Sequence, residues 1–274
     1  MKKTEVLISE VTPDKVLPVL PGKVKIYSYS KLSTFENCAF QFKLRYIDNI
    51  KVDKDTIERF LGNTVHSTLE YAYQNREKLI KQSKPKEAML ELYNYFWRQD
   101  YKSSITIVKR GRSMNDYKSA GERCIERYYD KYYPFDQNKV LGMEERIQIK
   151  LDAEGAYLLN GIIDRLDETP EGDIEIHDYK TGMNPPTQQK IEKERQLALY
   201  HIGVAEKYLG KKIFLIWHYL MSGIEFRLEK TETELLAVKT EAIGVIKEIE
   251  NTSEFKPHKS PLCPYCEYNG TYCG

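Results

Sequence analysis

Three neighbouring stretches of this 274-residue chain put carboxylates where a β-strand should put hydrocarbon. From 141 to 151 the odd positions read Leu141, Met143, Glu145, Ile147, Ile149 and Leu151, and the even ones Gly142, Glu144, Arg146, Gln148 and Lys150. Alternation of this kind predicts a half-buried strand, with Glu145 on its apolar face. Residues 157–166 predict a second strand, in which Ile162, Asp164 and Leu166 share a face. Residues 174–180 predict a third, in which Ile174, Ile176, Asp178 and Lys180 do. A buried carboxylate costs on the order of several kcal/mol unless it is compensated. A divalent cation takes hard carboxylate oxygens, and a lysine balances the remaining charge or orients a water. The plainer alternatives are a solvated strand end or a pair with Lys180. For Glu145 alone they stay open; Asp164, Asp178 and Lys180 together mark a site.

The surroundings predict one α/β domain. Residues 1–26 carry scattered Val and Leu with Pro13, Pro18 and Pro21, and read as an extended N-terminal arm. Ser28 and Ser30 offer N-cap oxygens to a helix in which Leu32, Phe35, Phe42 and Tyr46 recur at helical spacing. Leu61, Val65, Leu69 and Ala72 form a stripe on a helix over about 55–82. Two Tyr-rich helices follow, over about 85–101 and 116–132, with Lys109, Arg110 and Arg112 between them. Tyr93, Tyr95, Phe96, Trp97 and Tyr101 on one and Tyr128, Tyr129, Tyr132 and Tyr133 on the other read first as core, second as stacking faces for unpaired bases. After the three strands come a helix over 187–209, strands over 213–220 and 224–228, a helix over 232–249, and a Pro- and Cys-bearing tail. That order predicts a mixed central sheet flanked by helices, in one domain over 27–274 with a helical insertion over about 80–135.

Composition narrows the function classes. Lys and Arg number 42 against 41 Asp and Glu, so a polyanion would have to meet a local positive groove. No apolar run has the length of a membrane span, and Glu5, Glu10, Pro13 and Asp14 interrupt any signal-peptide stretch. The expected compartment is the cytoplasm, where five cysteines are not a disulfide framework.

Asp164 in Gly161-Ile162-Ile163-Asp164, followed by Asp178-Tyr179-Lys180, resembles the core of the PD-(D/E)xK nuclease superfamily, and within it the RecB-like exonuclease branch. That branch includes the CRISPR-associated single-domain nucleases and the nuclease domains of RecB and AddB. Gly62 through His66 is similar to its G-x-x-x-H helix, Gln196 through Tyr200 to its Q-x-x-x-Y helix, and Tyr29 through Cys38 to the start of the domain. The resemblance covers residues 27–274, with the motifs in order. It implies a restriction-endonuclease-like fold and a metal-dependent DNA exonuclease acting on single-stranded or frayed ends. His66, Asp164, Asp178 and the backbone carbonyl of Tyr179 would hold Mg²⁺ or Mn²⁺, with Glu145 as a further ligand. Lys180 would position the attacking water and neutralise charge on the phosphate, and Gln196 and Tyr200 would flank the site. The alternatives are a nuclease subunit of a recombination or CRISPR-adaptation complex, and a non-catalytic DNA-binding adaptor.

Cys263, Cys266 and Cys273 place three thiols in eleven residues, and three ligands need a fourth. Many members of the RecB-like branch tie a cysteine near the domain start to three near the C-terminus around a 4Fe-4S cluster. Cys38 stands at that first position, so the tail 255–274 is expected to close on it. Ala39 replaces the usual proline, and six residues rather than five separate Cys266 from Cys273. Zinc is the other occupant such thiols suit. Cys124, in a helical run with Ile125 and Tyr128, reads as a buried apolar residue.

Overall fold

The computed structural model describes residues 25–273. The expected arm lies outside them except for Lys25 and Ile26, which open a strand, β1 (Lys25–Ser28). Ser28 then caps α1 (Tyr29–Asn37) by accepting the Lys31 amide. A short helix, α2 (Ala39–Phe42), and a π-helical turn (Lys43–Ile47) follow. The expected helix over 55–82 divides into α3 (Ile57–Gln74) and α4 (Arg76–Ile80), after a two-residue strand β2 (Asp55–Thr56). Next come α5 (Pro85–Asp100), β3 (Ile105–Thr106) and α6 (Met114–Tyr132). A Ser113–Asp116 capping box starts α6.

The central sheet is built on a long spine, β5 (Tyr157–Glu168). One edge of it pairs antiparallel with β4 (Lys139–Lys150) along almost its whole length. The other edge is shared: β1 runs parallel to Tyr157 through Asn160, and β6 (Ile174–Lys180) runs antiparallel to Arg165 through Glu168. Gly161 through Asp164 have no strand partner on that side, so β5 and β6 fork there. Beyond β6 lie β7 (Ile213–Tyr219), parallel to it, and β8 (Ile224–Glu229) at the edge. The helix expected over 187–209 is two, α7 (Gln188–Glu192) and α8 (Gln196–Lys207), and α9 (Glu232–Asn251) follows β8.

Helices cover both faces of the sheet. On one, Leu32 and Phe35 of α1, Leu197 through Tyr200 of α8 and Ile246 of α9 pack over Leu159, Ile163, Leu166, Ile174 and Ile176. On the other, Leu61, Val65 and Leu69 of α3, Tyr93 and Trp97 of α5 and Tyr128 of α6 pack over Tyr179. The Tyr-rich helices are therefore chiefly core, although Tyr95, Tyr101 and Tyr133 remain exposed. Among the described residues no helix is long and apolar enough to cross a membrane.

Strand parity holds on β6 and fails on β5. Ile174, Ile176 and Asp178 are all buried, as alternation requires. On β5 it is Ile163, not Ile162, that joins the core with Leu166, and Ile162 is exposed. Residues 163 and 166 cannot share a face in a regular strand, so the alternation breaks between them, at Asp164. Glu144, level with Asp164 on β4, takes the left-handed conformation at φ 48°. The two neighbouring strands change face at the same height.

Candidate active site

The fork gathers most of the residues the sequence singles out. Because β6 has separated from β5, the Asp164 side chain reaches across and accepts the Tyr179 amide at 2.7 Å. His66, one turn beyond Gly62 on α3, places Nε2 2.8 Å from the Tyr179 carbonyl oxygen and Nδ1 3.6 Å from Asp164 Oδ1. Asp178 faces the opposite side of β6 from Tyr179 and meets Lys180, whose Nζ lies 2.9 and 2.7 Å from its two oxygens. Gln196 Oε1 accepts from the same ammonium at 3.2 Å, and Gln196 Nε2 donates to the Tyr200 hydroxyl at 3.3 Å. Tyr200 crosses the backbone at Gly161, where a Cβ would come within 2.4 Å of its ring. Glycine is required there for α8 to lie close enough to present Gln196.

Glu145, expected as a further ligand, lies apart from these residues. It forms an ion pair with Lys207 of α8 at 3.4 Å, on the sheet face it shares with Ile147 and Ile149. Its neighbour Glu144 faces the site instead, 4.0 Å from His66 Nδ1, and ligand atoms of His66, Glu144 and Asp164 lie within 4.8 Å of one another. Glu145 keeps the face of Ile147 and Ile149, under α8, and Glu144 turns to the opposite face, toward α3. A second residue outside the expected set is Glu194, in the break between α7 and α8. It accepts the amides of Gln196 and Leu197 and thereby starts α8. Replacing Glu144 with alanine is expected to lower DNA cleavage at least about tenfold and to weaken divalent-metal binding. The same change at Glu145 leaves both unchanged within twofold. Metal titrations and cleavage rates of the two variants check this.

The electrostatics match a cation site. Burial pushes the Asp164 carboxyl up to about 7, against the opposing effect of His66 and with the help of the Asp178 charge. Burial likewise raises Glu144 and Glu194. Burial opposes the charge of Lys180, but Asp178, then Glu194 and Asp164, outweigh it and hold the ammonium protonated. Asp178 Oδ2 is buried against the Lys180 ammonium at 2.7 Å without an aligned hydrogen bond, so it keeps lone-pair capacity for a cation. Folding lifts Asp164 from 3.8 to about 7, so the folded chain keeps a proton that the unfolded chain has lost. Metal-free protein should therefore lose on the order of 2–4 kcal/mol as pH rises through that window. Asp164→Asn should flatten the loss, and added Mn²⁺ should stabilise the parent protein more at pH 8 than at pH 5.5. Denaturant melts at the two pH values test both.

Behind the site the opposite face of β6 is tied to a buried polar cluster. The Arg165 guanidinium donates to the hydroxyls of Tyr73, Tyr128 and Tyr179 and, through Nε, lies 3.1 Å from Asp167. His177 stands 2.9 Å from His218 within this cluster. The cluster fixes Tyr179 from behind.

A cysteine pocket joins the two ends of the domain. Cys38, Cys263, Cys266 and Cys273 line one cavity of about 250 Å³. Three backbone amides point at its sulfurs: Gln41 and His258 at Cys38 Sγ, 3.5 and 3.4 Å away, and Ser260 at Cys263 Sγ, 3.3 Å away. Glu267 holds the tail to Arg45 and Gln41, and the Tyr268 hydroxyl donates to the Ile50 carbonyl at 2.8 Å. Cys124 is fully buried, and burial pushes its thiol up to about 12.

The sequence profile of the PD-(D/E)XK nuclease superfamily matches residues 26–273. The chain belongs to that superfamily. Its mixed sheet flanked by helices is the restriction-endonuclease-like fold of these nucleases. This PD-(D/E)XK nuclease is 24% identical over 190 residues to one subunit of the ATP-dependent helicase/deoxyribonuclease of Streptococcus uberis, taking in 66% of this chain and 16% of the relative. The corresponding subunit from Streptococcus pyogenes serotype M49 is 25% identical over 158 residues, taking in 57% and 14%. The chain thus spans about a sixth of the length of these relatives. A crystal structure of a candidate exonuclease from Eubacterium rectale is similar at 12% identity and a TM-score of 0.49, over 89% of this chain and 88% of that one.

Proposed function

We propose that this nuclease is a metal-dependent deoxyribonuclease that removes nucleotides from single-stranded or frayed DNA ends. The observation that carries the reading is the convergence of His66, Asp164, the Tyr179 carbonyl and the Asp178–Lys180 pair at the fork between β5 and β6. The donor set of carboxylates, one carbonyl and one imidazole suits Mg²⁺ or Mn²⁺, and the nitrogen favours Mn²⁺ of the two. The bound ion supplies charge screening for the phosphate and a more acidic water. Lys180, kept protonated by its carboxylate neighbours, donates hydrogen bonds to the water or to a phosphate oxygen and offsets the charge that grows there. Gln196, anchored by Tyr200, fixes the direction of that ammonium. Asp164 ties the Tyr179 amide in place and so aims the adjacent carbonyl.

The cysteine pocket is read as the seat of a 4Fe-4S cluster held by Cys38, Cys263, Cys266 and Cys273. Amides directed at sulfur favour metal-bound thiolates. Tetrahedral zinc, with bonds of about 2.3 Å, would draw its four sulfurs to roughly 3.8 Å from one another. The cavity of about 250 Å³ lined by the four thiols leaves room for the larger group. A second reading, a nuclease module working inside a helicase–nuclease assembly, is favoured by the names of the Streptococcus relatives.

End-labelled single- and double-stranded DNA incubated with Mg²⁺ or Mn²⁺ tests the activity. Progressive release from the end of the single strand is expected. Absence of cleavage with either ion on either substrate would refute the proposal, and cleavage only inside the strand would replace exonuclease by endonuclease.

A further inference from the structure

Immediately past Lys180 the chain runs through Thr181, Gly182 and Met183 along the rim of a cavity of about 240 Å³, closed by the first turns of α3 and by α6 with the loop before it. Its floor is apolar: Leu61, Ala120, Met221 and the ring of Tyr117, with Met183 half exposed at the mouth. Around it stand Lys109, Arg112 and Arg123. Elsewhere on α6, Glu122 is engaged with Lys118 and Asp130 with Lys86. Among the described residues Glu126 makes no ion pair, and no acid lies within 4.0 Å of these three cations or of Arg110. The lining holds two carboxylates. Asp116 is committed to the α6 capping box. Glu58 accepts the Tyr117 hydroxyl through Oε1 at 2.6 Å, while its Oε2 is buried without a partner. An acceptor left unpaired in such a place is costly, and a ligand that donates to it removes the cost.

The position is informative. Gly62, beside this cavity, precedes His66 by four residues on α3, about 6 Å along the axis at 1.5 Å per residue. That is roughly two steps of a nucleic-acid strand rising about 3.4 Å each. We propose that this cavity receives an unpaired nucleotide flanking the scissile phosphate. The cations hold its backbone, the apolar floor takes the face of the base, and Glu58 Oε2 accepts an N–H from the base edge. The inference rests on the nuclease reading and specifies its substrate. A base still inside a duplex cannot enter such a pocket without being extruded, so strands with free bases are the ones bound.

The test uses the full chain carrying Asp178→Asn, which leaves the DNA whole. Fluorescence polarisation measures its affinity for labelled single strands that each contain one abasic residue, moved stepwise from the end. The expected result is a loss of about tenfold at one position and little change elsewhere. In a second measurement, Arg112→Ala with Arg123→Ala should lower the slope of log K against log salt by about 1.4. A flat abasic scan with intact binding, an unchanged salt slope, or equal affinity for a blunt duplex would each overturn the subsite. Failure of the unsubstituted protein to cleave would overturn the nuclease reading alone, since the abasic scan needs no cleavage and no change in the cavity.

Discussion

Asp178→Asn and Lys180→Ala are each expected to slow cleavage of single-stranded DNA by at least about a thousandfold, while the protein stays folded. The size follows from the role: a preorganised charge at a developing oxyanion contributes on the order of 10²–10³ in rate, and loss of a metal ligand adds to that. The two variants should differ in what else they change. Asp178→Asn removes one oxygen of the proposed ligand set, so Mn²⁺ binding weakens with the rate. Lys180→Ala leaves every proposed ligand in place, so metal binding persists or improves once the competing cation 2.7 Å from Asp178 is gone. Cleavage rates alongside calorimetric Mn²⁺ titrations read both effects. Parental activity in both variants would end the catalytic assignment. Gln196→Ala should show an intermediate loss, because it frees Lys180 to rotate without removing its charge.

Cys266→Ser is expected to have the largest effect on stability. Protein purified without oxygen should be brown and carry about four irons per chain, and the variant should lose both colour and iron. Its melting temperature should fall by about 10 °C, corresponding to roughly 3 kcal/mol in a chain of this size. The drop is bounded because the tail has other anchors: Phe255 packs against Phe35 and Phe42, and Glu267 holds Arg45. A colourless preparation loaded with zinc would transfer the pocket to zinc. An iron-free, zinc-free parent that melts with the variant would show that the anchors suffice.

The reading from sequence succeeds where the backbone is regular. On β6 the period of two places Asp178 beside Ile174 and Ile176, and the four-residue spacing on α8 places Gln196 and Tyr200 together. It misplaces Ile162 because β5 changes face at Asp164, whereas Glu145 keeps the face of Ile147 and Ile149 and meets Lys207 there instead of the other site residues. A left-handed glutamate carries no signal in composition or period, and Glu144 takes that conformation where β4 lies level with the break in β5. Arg165 is equally hidden. A charged residue in a strand reads as solvent-facing, yet this one is buried among three tyrosine hydroxyls that come from α3, α6 and β6. The break between α7 and α8 is invisible for a related reason, since Glu194 starts α8 with its own side chain instead of with a glycine or proline.

The coordinated flip of β4 and β5 has a cost that follows from its geometry. A strand pair that kept perfect phase would bury Ile162 and would also relieve the repulsion between Glu144 and Asp164, gaining on both counts. Substitutions that iron out this kink should then emerge readily from any selection for heat resistance alone, and they should emerge dead. The defect in the weave is where the chemistry has room to happen.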